Sequence, residues 1–377
     1  MRWDALRSDG PDSNQAGESD APALFERGAV ARTFDTPEFR GMTFFEVNAR
    51  SIINRVPDAS RVPFRWTINP YRGCGHACVY CFARNTHTYL DFDSGHDFDS
   101  KIVVKVNAPD RLRRELGSPR WQPEHIAMGT NVDCYQRAEG RYRLMPGILA
   151  ALRDYRNPFS ILTKGALILR DLELLTQAAE VTEVSLAVSV GCADRDLSRA
   201  LEPGAPSPRA RLEVCAALDE HGLGCRVLMG PVVPFLSDTP AQLDATVRQI
   251  ALAGARSVTP IVLHLRTGAR QWFFRWLRQH HPELEPRYLA LYGSGAYAPS
   301  DYQQRIAAQV EELAVRYGVG RDQPRRRPAV TPPTRGTGSQ LDTSSRWRSP
   351  DLRARRPDAG GAAAAPLQLP LSWPQAR

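Results

Sequence analysis

The chain has 377 residues, of which 42% are hydrophobic and 24% charged, an ordinary composition for a globular protein with a sizeable core. Its net charge of +8 suggests an acidic partner such as a nucleic acid, but the last 57 residues alone hold eleven arginines and four aspartates. No apolar run approaches the roughly 20 residues of a membrane span, and no secretory signal is recognisable. We therefore expect a cytoplasmic protein without a membrane partner, whose seven cysteines are thiols or ligands rather than disulfides.

Composition divides the chain into four segments. Residues 1–22 are polar and predict a disordered N-terminus, whereas residues 23–60 predict an N-terminal extension that packs on the core. Residues 61–320 repeat a pattern of strand and helix and predict a barrel closed by C-terminal helices. Residues 321–377 are rich in Pro, Arg, Ser and Gly and predict a disordered basic tail. The tail is a candidate for binding nucleic acid through phosphates, although the preference of the whole chain for Arg over Lys is enough to explain its composition.

Six short apolar or β-branched runs are typical of buried parallel strands, because they lack the alternation of half-exposed strands. They recur every ~25–40 residues, which is the length of a βα unit. In chain order the runs are Trp66–Tyr71, His125–Gly129, Phe159–Thr163, Val184–Val190, Cys225–Met229 and Val258–Leu263.

Capping residues mark the helices between these runs. Ser207 and Thr239 each precede a proline at a predicted helix start, and Asp171 is predicted to cap the helix that follows it. Ser300 with Gln303 predicts a capping box at the last helix. The alternation predicts an α/β protein, a partial (β/α)6 barrel of the TIM type with an N-terminal extension and a disordered C-terminal tail. Active sites of such barrels lie at the C-terminal ends of the strands.

Directly after the first run, Cys74, Cys78 and Cys81 are spaced C-x3-C-x2-C. Thiolates this close in one loop suit a soft metal or an iron–sulfur cluster. Three ligands leave one iron of a [4Fe–4S] cluster without a protein ligand, and chemistry at a metal requires such a free position. The main alternative is zinc, with His76 or Cys134 as fourth ligand. A structural zinc site usually closes with a second C-x2-C or H-x3-H pair, which the sequence lacks.

The cysteine motif, with Tyr80 before its last cysteine, resembles that of the radical S-adenosylmethionine (SAM) superfamily. Together with the blocks GTNVDCYQ, LTKG and EPGAPSPRARLE, it resembles the spore photoproduct lyase-like branch over about residues 43–290. The resemblance implies that Cys74, Cys78 and Cys81 hold a [4Fe–4S] cluster, which cleaves SAM reductively to a 5′-deoxyadenosyl radical. It also implies an electron donor such as a ferredoxin or flavodoxin. The substrate is not specified, and a nucleic acid is one candidate.

Further cofactor-binding residues follow from the same resemblance, because related enzymes contact SAM from the ends of the barrel strands. Three of them also have a structural alternative: Lys164 as a surface lysine, Ser189 as a serine bonded to backbone, and Met229 as a methionine in the core. The residues assigned to SAM are Tyr80, Thr130, Asp133, Lys164, Ser189 and Met229.

The chain departs from the lyase pattern at the hydrogen donor. Spore photoproduct lyases carry a hydrogen-donating cysteine where this chain has Thr130, and a hydroxyl cannot replace that thiol. Relatives of the branch usually read DPYQ where Cys134 here follows Asp133. Cys134 is therefore either a displaced hydrogen donor or a small apolar replacement of the proline. A specific repair activity is not predicted.

Two further classes of function remain open from sequence. One is a protein that binds nucleic acid without catalysis and is stabilised by zinc or a cluster. The other is a protein whose cluster only transfers electrons. The three remaining cysteines are assigned to the core: Cys192, Cys215 and Cys225.

Overall fold

The computed structural model describes residues 29–58, 60 and 62–319. The two segments predicted to be disordered, residues 1–22 and 321–377, lie outside the described residues. Within the described part, eleven strands form two sheets. The strands are β1 (Val30–Arg32), β2 (Thr43–Val47), β3 (Ile53–Arg55), β4 (Trp66–Ile68), β5 (Tyr71–Arg72), β6 (Lys101–Lys105), β7 (Ile126–Met128), β8 (Phe159–Thr163), β9 (Val184–Ser189), β10 (Arg226–Val232) and β11 (Ser257–Val262).

Helices connect these strands, and among the described residues none is long and apolar enough to cross a membrane. The α-helices are α1 (His96–Ser100), α2 (Ala108–Leu116), α3 (Arg137–Tyr142), α4 (Leu144–Asp154), α5 (Leu172–Val181), α6 (Arg195–Leu201), α7 (Pro208–Glu220), α8 (Pro240–Leu252), α9 (Ala269–His280), α10 (Glu285–Tyr292) and α11 (Ser300–Arg316). Segments of 3₁₀ helix are Phe82–Leu90, Ala166–Asp171 and Pro282–Leu284.

The larger sheet contains six parallel strands in chain order, β4, β7, β8, β9, β10 and β11. The short strand β3 pairs antiparallel with β4 at one edge. Because β3 and β11 are the two edges of this sheet, the six βα units form an open barrel rather than a closed ring. The predicted parallel α/β fold with six strands is confirmed.

Five of the six predicted strands lie within a few residues of their observed positions, and Phe159–Thr163 coincides with β8. The first run was wrong in one respect, since it divides into β4 of the larger sheet and β5 of the smaller one. Pro70 separates them because it has no N–H to continue a ladder, and its carbonyl instead accepts a bond of 3.0 Å from the Lys105 N–H.

The smaller sheet has the order β1-β2-β6-β5, with β2 and β6 parallel. It takes two strands from the predicted extension, 23–60, and two from the predicted barrel segment, 61–320. The boundary at residue 60 therefore remains a prediction. The strand β5 pairs antiparallel with β6 and leads directly into the cysteine loop, so this sheet fixes where the loop begins.

Two predicted caps are confirmed. The Ser207 side chain accepts from the Ala210 N–H at 3.2 Å, at the start of α7. The Thr239 side chain accepts from the Gln242 N–H at 3.3 Å, and Gln242 completes a capping box at α8. Each satisfies a helix N–H that would otherwise lack a partner.

Two other predicted caps were wrong. The carboxylate of Asp171 does not cap α5, because it instead accepts from the Tyr135 hydroxyl and pairs with Arg170. Ser300 is the first residue of α11 rather than its cap, which is Pro299, so no capping box forms there. Tertiary partners replaced a local bond in the first case, and the helix begins one residue earlier than predicted in the second.

Apolar side chains of the helices cover the larger sheet. Phe159 and Leu186 on neighbouring strands belong to one buried cluster with Ile148 of α4 and Leu175 of α5. Each fully buried side chain of this size contributes about 1.5–3 kcal/mol relative to exposure. This packing fixes the strand ends, and the candidate site lies there.

Candidate functional site

The cysteine loop follows β5 and covers residues 73–81. Gly73 adopts φ +75, and a Cβ there would lie 2.9 Å from the Lys101 carbonyl oxygen, so only glycine fits. Cys74 and Cys78 are buried and Cys81 is partly exposed. A negative charge on Cys81 would raise the pKa of both Cys74 and Cys78, so the three thiols are close together. The three predicted ligands therefore converge in one loop.

One side chain clamps the backbone on both sides of Cys74. The Gln136 side-chain oxygen accepts from the Gly75 N–H at 2.9 Å, and its side-chain nitrogen donates to the Gly73 carbonyl at 2.8 Å. Gln136 is fully buried, so an unmade bond would leave a polar group without water. It lies in the GTNVDCYQ block, but sequence reasoning gave it no role.

The donor chemistry of the loop fits an iron–sulfur cluster. Burial raises the pKa of the Cys74, Cys78 and Cys81 thiols, so the unbound thiols stay protonated. Binding to iron removes those protons, which couples cluster assembly to proton release. Within the described ranges, no three His, Cys, Asp or Glu side chains are close enough to hold one metal ion. A four-iron cluster does not require three ligands around one metal ion, because each thiolate binds a different iron.

His76 and Cys134, the predicted alternative zinc ligands, have other surroundings. The Nδ1 atom of His76 lies 3.5 Å from a carboxylate oxygen of Asp133, and burial lowers the pKa of this histidine. Cys134 is fully buried in the main apolar cluster, and its thiol lies near Tyr71 and Glu139. Its predicted role as hydrogen donor stays a prediction.

Asp133 joins the ends of β7 and β8. One carboxylate oxygen accepts from the Thr163 hydroxyl at 2.6 Å and the Tyr135 N–H at 2.9 Å. The other accepts from the Lys164 N–H at 2.6 Å. Gly129, with φ +75, allows this approach, because a Cβ there would lie 1.8 Å from the Leu162 carbonyl oxygen.

Lys164 and Ser189 meet at the ends of β8 and β9. The Lys164 ammonium donates to the Ser189 hydroxyl at 2.6 Å, and that hydroxyl donates to the Gly230 carbonyl of β10 at 2.9 Å. Sequence alone left open that Lys164 is an ordinary surface lysine. Its side chain is only 15% exposed, which argues against that alternative.

Glu202 connects this pair to the cysteine loop. Its carboxylate accepts from the Tyr80 hydroxyl, lies 3.6 Å from the Lys164 ammonium and forms an ion pair with Arg211. Burial alone would raise the pKa of Glu202, but the charges of Arg211 and Lys164 outweigh it and hold that pKa at about 2. The EPGAPSPRARLE block contains both Glu202 and Arg211, yet sequence reasoning assigned a role to neither.

The structure thus joins Tyr80, Lys164 and Ser189 in one polar network through Glu202, with Asp133 bonded to the Lys164 backbone. Two predicted SAM residues are not brought into this network. Thr130 lies half-buried two residues after β7. Met229 is fully buried in a cluster with side chains of α8 and α11. The roles assigned to both stay predictions.

Comparison with known proteins assigns the chain to a family. The model of the Radical SAM superfamily matches residues 68–248. The protein Rv2578c of Mycobacterium tuberculosis is 47% identical over 322 residues, which cover 85% of this chain and 94% of that protein. MJ0683 of Methanocaldococcus jannaschii is 29% identical over 195 residues, covering 51% of this chain and 69% of that protein.

Among solved structures, spore photoproduct lyase complexed with dinucleoside spore photoproduct matches with a TM-score of 0.54. The match covers 74% of this chain and 80% of the lyase, at 14% sequence identity. At this identity the likeness shows the fold alone.

Proposed function

Because the chain belongs to the radical SAM superfamily, it is an enzyme that uses a [4Fe–4S] cluster and SAM, and we propose that Cys74, Cys78 and Cys81 hold the cluster. A cluster bound there would supply one electron for the reductive cleavage of SAM to methionine and a 5′-deoxyadenosyl radical, which would abstract hydrogen from a substrate. The fold around the loop buries the Cys74 and Cys78 thiols and leaves Cys81 partly exposed. Gln136 fixes the loop backbone beside Cys74.

The polar network supplies the groups that SAM requires. The Lys164 ammonium can bind a carboxylate, and the Ser189 hydroxyl can donate to or accept from ribose hydroxyls. Glu202 stays ionised at neutral pH and faces the cysteine loop through Tyr80. These groups orient the cofactor at the strand ends, where barrel enzymes carry out their chemistry.

One observation carries this proposal. Tyr80, Lys164 and Ser189 are far apart in the sequence, and the family resemblance assigns all three to SAM. They are linked through Glu202 beside the three thiols. Even a paired buried charge is often no more stabilising than apolar packing, so a buried charged network beside the loop favours a role in binding over a purely structural one.

Anaerobic reconstitution tests the proposed function. With iron and sulfide the chain should become brown, and with dithionite it should convert SAM to 5′-deoxyadenosine. Zinc without iron, and no 5′-deoxyadenosine, would instead support a nucleic-acid-binding protein without catalysis. A redox-active cluster whose electron paramagnetic resonance spectrum does not change on adding SAM would support electron transfer alone.

We further propose a nucleic acid as the substrate class and an acidic one-electron carrier as the reductant. The lyase of similar fold was solved with a dinucleoside spore photoproduct, and the last 57 residues of this chain are strongly basic. The basic tail lies outside the described residues, so its part in binding is argued from composition. Covalent change in an oligonucleotide, dependent on SAM and reductant, tests this substrate class.

Replacing Cys134 by alanine separates its two interpretations. We expect 5′-deoxyadenosine formation with dithionite to stay within about twofold of the wild type, because a buried free cysteine packs as a small apolar side chain. The control is Cys215→Ala, which removes another fully buried thiol, on α7. If Cys134→Ala alone stops conversion of the substrate radical to product, Cys134 is the hydrogen donor. If both variants behave alike in both assays, it is a packing residue.

A further inference from the structure

The cysteine loop reaches the surface at Ala77, between Cys74 and Cys78. Ala77 is partly exposed, whereas both cysteines are buried. Its backbone adopts φ +54, a left-handed conformation that costs a non-glycine residue roughly 1–2 kcal/mol. The loop tip is therefore a place where a partner can come close to the cluster ligands.

Helix α3 covers one flank of this tip. The Cβ of Arg137 lies 3.8 Å from the position that a Cβ of Gly75 would take, so α3 begins close to the loop at Gly75. The Arg137 side chain is exposed and donates to the Glu38 carbonyl at 3.2 Å. Arg141, one turn later on α3, is also exposed, and its guanidinium lies 4.4 Å from the centre of the Phe34 ring.

The segment after α6 covers the other flank. The Val79 N–H donates to the Leu201 carbonyl at 2.9 Å, and the Gly204 N–H donates to the His76 carbonyl at 3.0 Å. Residues 201–204 thus run beside the loop tip. A surface cavity of about 190 Å³ lies next to them, lined by two exposed arginines of α6 together with Pro203 and Ser207. These arginines are Arg195 and Arg199.

The charges around the tip favour an acidic partner. Four exposed arginines, Arg137, Arg141, Arg195 and Arg199, form no salt bridge within the described residues, although the charge of Arg137 acts on Glu38. The exposed carboxylates nearby are fewer, and one is already engaged, since Asp194 caps α6 by accepting two backbone N–H groups. The others are Asp35, Glu38 and Asp196, and the same segments carry two further exposed arginines, Arg40 and Arg143.

We propose that this arginine rim, defined as Arg137, Arg141, Arg195 and Arg199, docks the acidic protein that delivers single electrons to the cluster. The inference rests on the proposed function, because only a redox cluster at the cysteine loop needs such a donor. Electrostatic complementarity chiefly accelerates association and selects the partner, and electron-transfer interfaces are typically small. A rim of flexible arginines around an exposed loop tip fits both requirements.

The test compares two reductants in the full-length reconstituted enzyme. Arg137→Glu/Arg199→Glu should lower 5′-deoxyadenosine formation supported by reduced flavodoxin at least about 10-fold, and the effect should shrink as salt rises. With dithionite, which needs no docking surface, the rate should stay that of the wild type. The matched control is Arg114→Glu/Arg248→Glu, which makes the same change of charge at exposed positions on α2 and α8.

Three outcomes would overturn the inference. The first is an equal loss with both reductants, which would assign the arginines to the reaction itself. The second is an equal loss in the control variant, which would make the effect one of net charge. The third is an unchanged flavodoxin rate together with weaker oligonucleotide binding, which would make the rim a nucleic-acid surface. Failure of the wild type to cleave SAM with dithionite would instead refute the proposed function.

Discussion

Replacing Cys81 by alanine should abolish cluster assembly and SAM cleavage. Mutating a residue that only hydrogen-bonds to a metal ligand already lowers metal affinity or activity by about 10–100-fold. Removing a ligand itself should therefore lower activity by more than about 100-fold. Cys81 is the best of the three cysteines for this test. It is partly exposed, whereas Cys74 and Cys78 are buried, so its removal disturbs packing least. Iron and sulfide per chain, and 5′-deoxyadenosine formed with dithionite, measure the result.

The control for this substitution is Cys192→Ala, which removes another thiol at the strand ends that we do not assign to the cluster. It should bind iron as the wild type does. Thermal unfolding of both apo variants checks that neither is misfolded. Full iron content and full SAM cleavage in Cys81→Ala would contradict the assignment of this cysteine, and zinc bound in place of iron by the wild type would contradict the cluster itself.

The strands were predictable from sequence because a buried parallel strand leaves a local mark. The run Phe159–Thr163 places Phe159 and Ile161 at buried positions, and it coincides with β8. The smaller sheet was not predicted. Its strand β6 comes directly after α1 and pairs with β2, more than 50 residues earlier in the chain. Such a pairing has no periodic signal of its own, because it depends on how the two segments meet.

The candidate site was predictable in part for the same reason. The cysteine spacing indicates the candidate ligands locally, and Lys164 and Ser189 were predicted because strand ends face the active side of a barrel. Glu202 was missed because nothing near it in sequence distinguishes it from a surface glutamate. Its character comes from Lys164 and Arg211, which only the fold brings to it. At Asp171 the local pattern was misleading. It predicts a helix cap, but the carboxylate accepts a hydrogen bond from Tyr135 instead.

Glu202→Gln should destabilise the fold by about 3 kcal/mol at pH 7, with an effect that disappears in acid. The folded pKa of Glu202 is about 2 and its ordinary value is 4.5, and one unit is worth about 1.4 kcal/mol. Since the folded pKa is lowered, the charged form stabilises the protein above pH 4.5, and that stability is lost as pH falls toward 2. Breaking a buried ion pair by removing one partner costs a similar roughly 3–5 kcal/mol, because Arg211 is left unpaired.

Urea unfolding of wild type and variant between pH 7 and pH 3 measures the difference, which should narrow only below pH 4.5, the ordinary value for glutamate. The double variant Glu202→Gln/Arg211→Met should recover part of the loss, because it leaves no buried charge of this pair unpaired. The control is Glu213→Gln, whose partner Arg209 is 87% exposed, and it should change stability by less than about 1 kcal/mol. A difference between Glu202→Gln and wild type that stays constant down to pH 3 would show that Glu202 acts through its shape and hydrogen bonds. Its charge would then not be what ties the cysteine loop to Lys164.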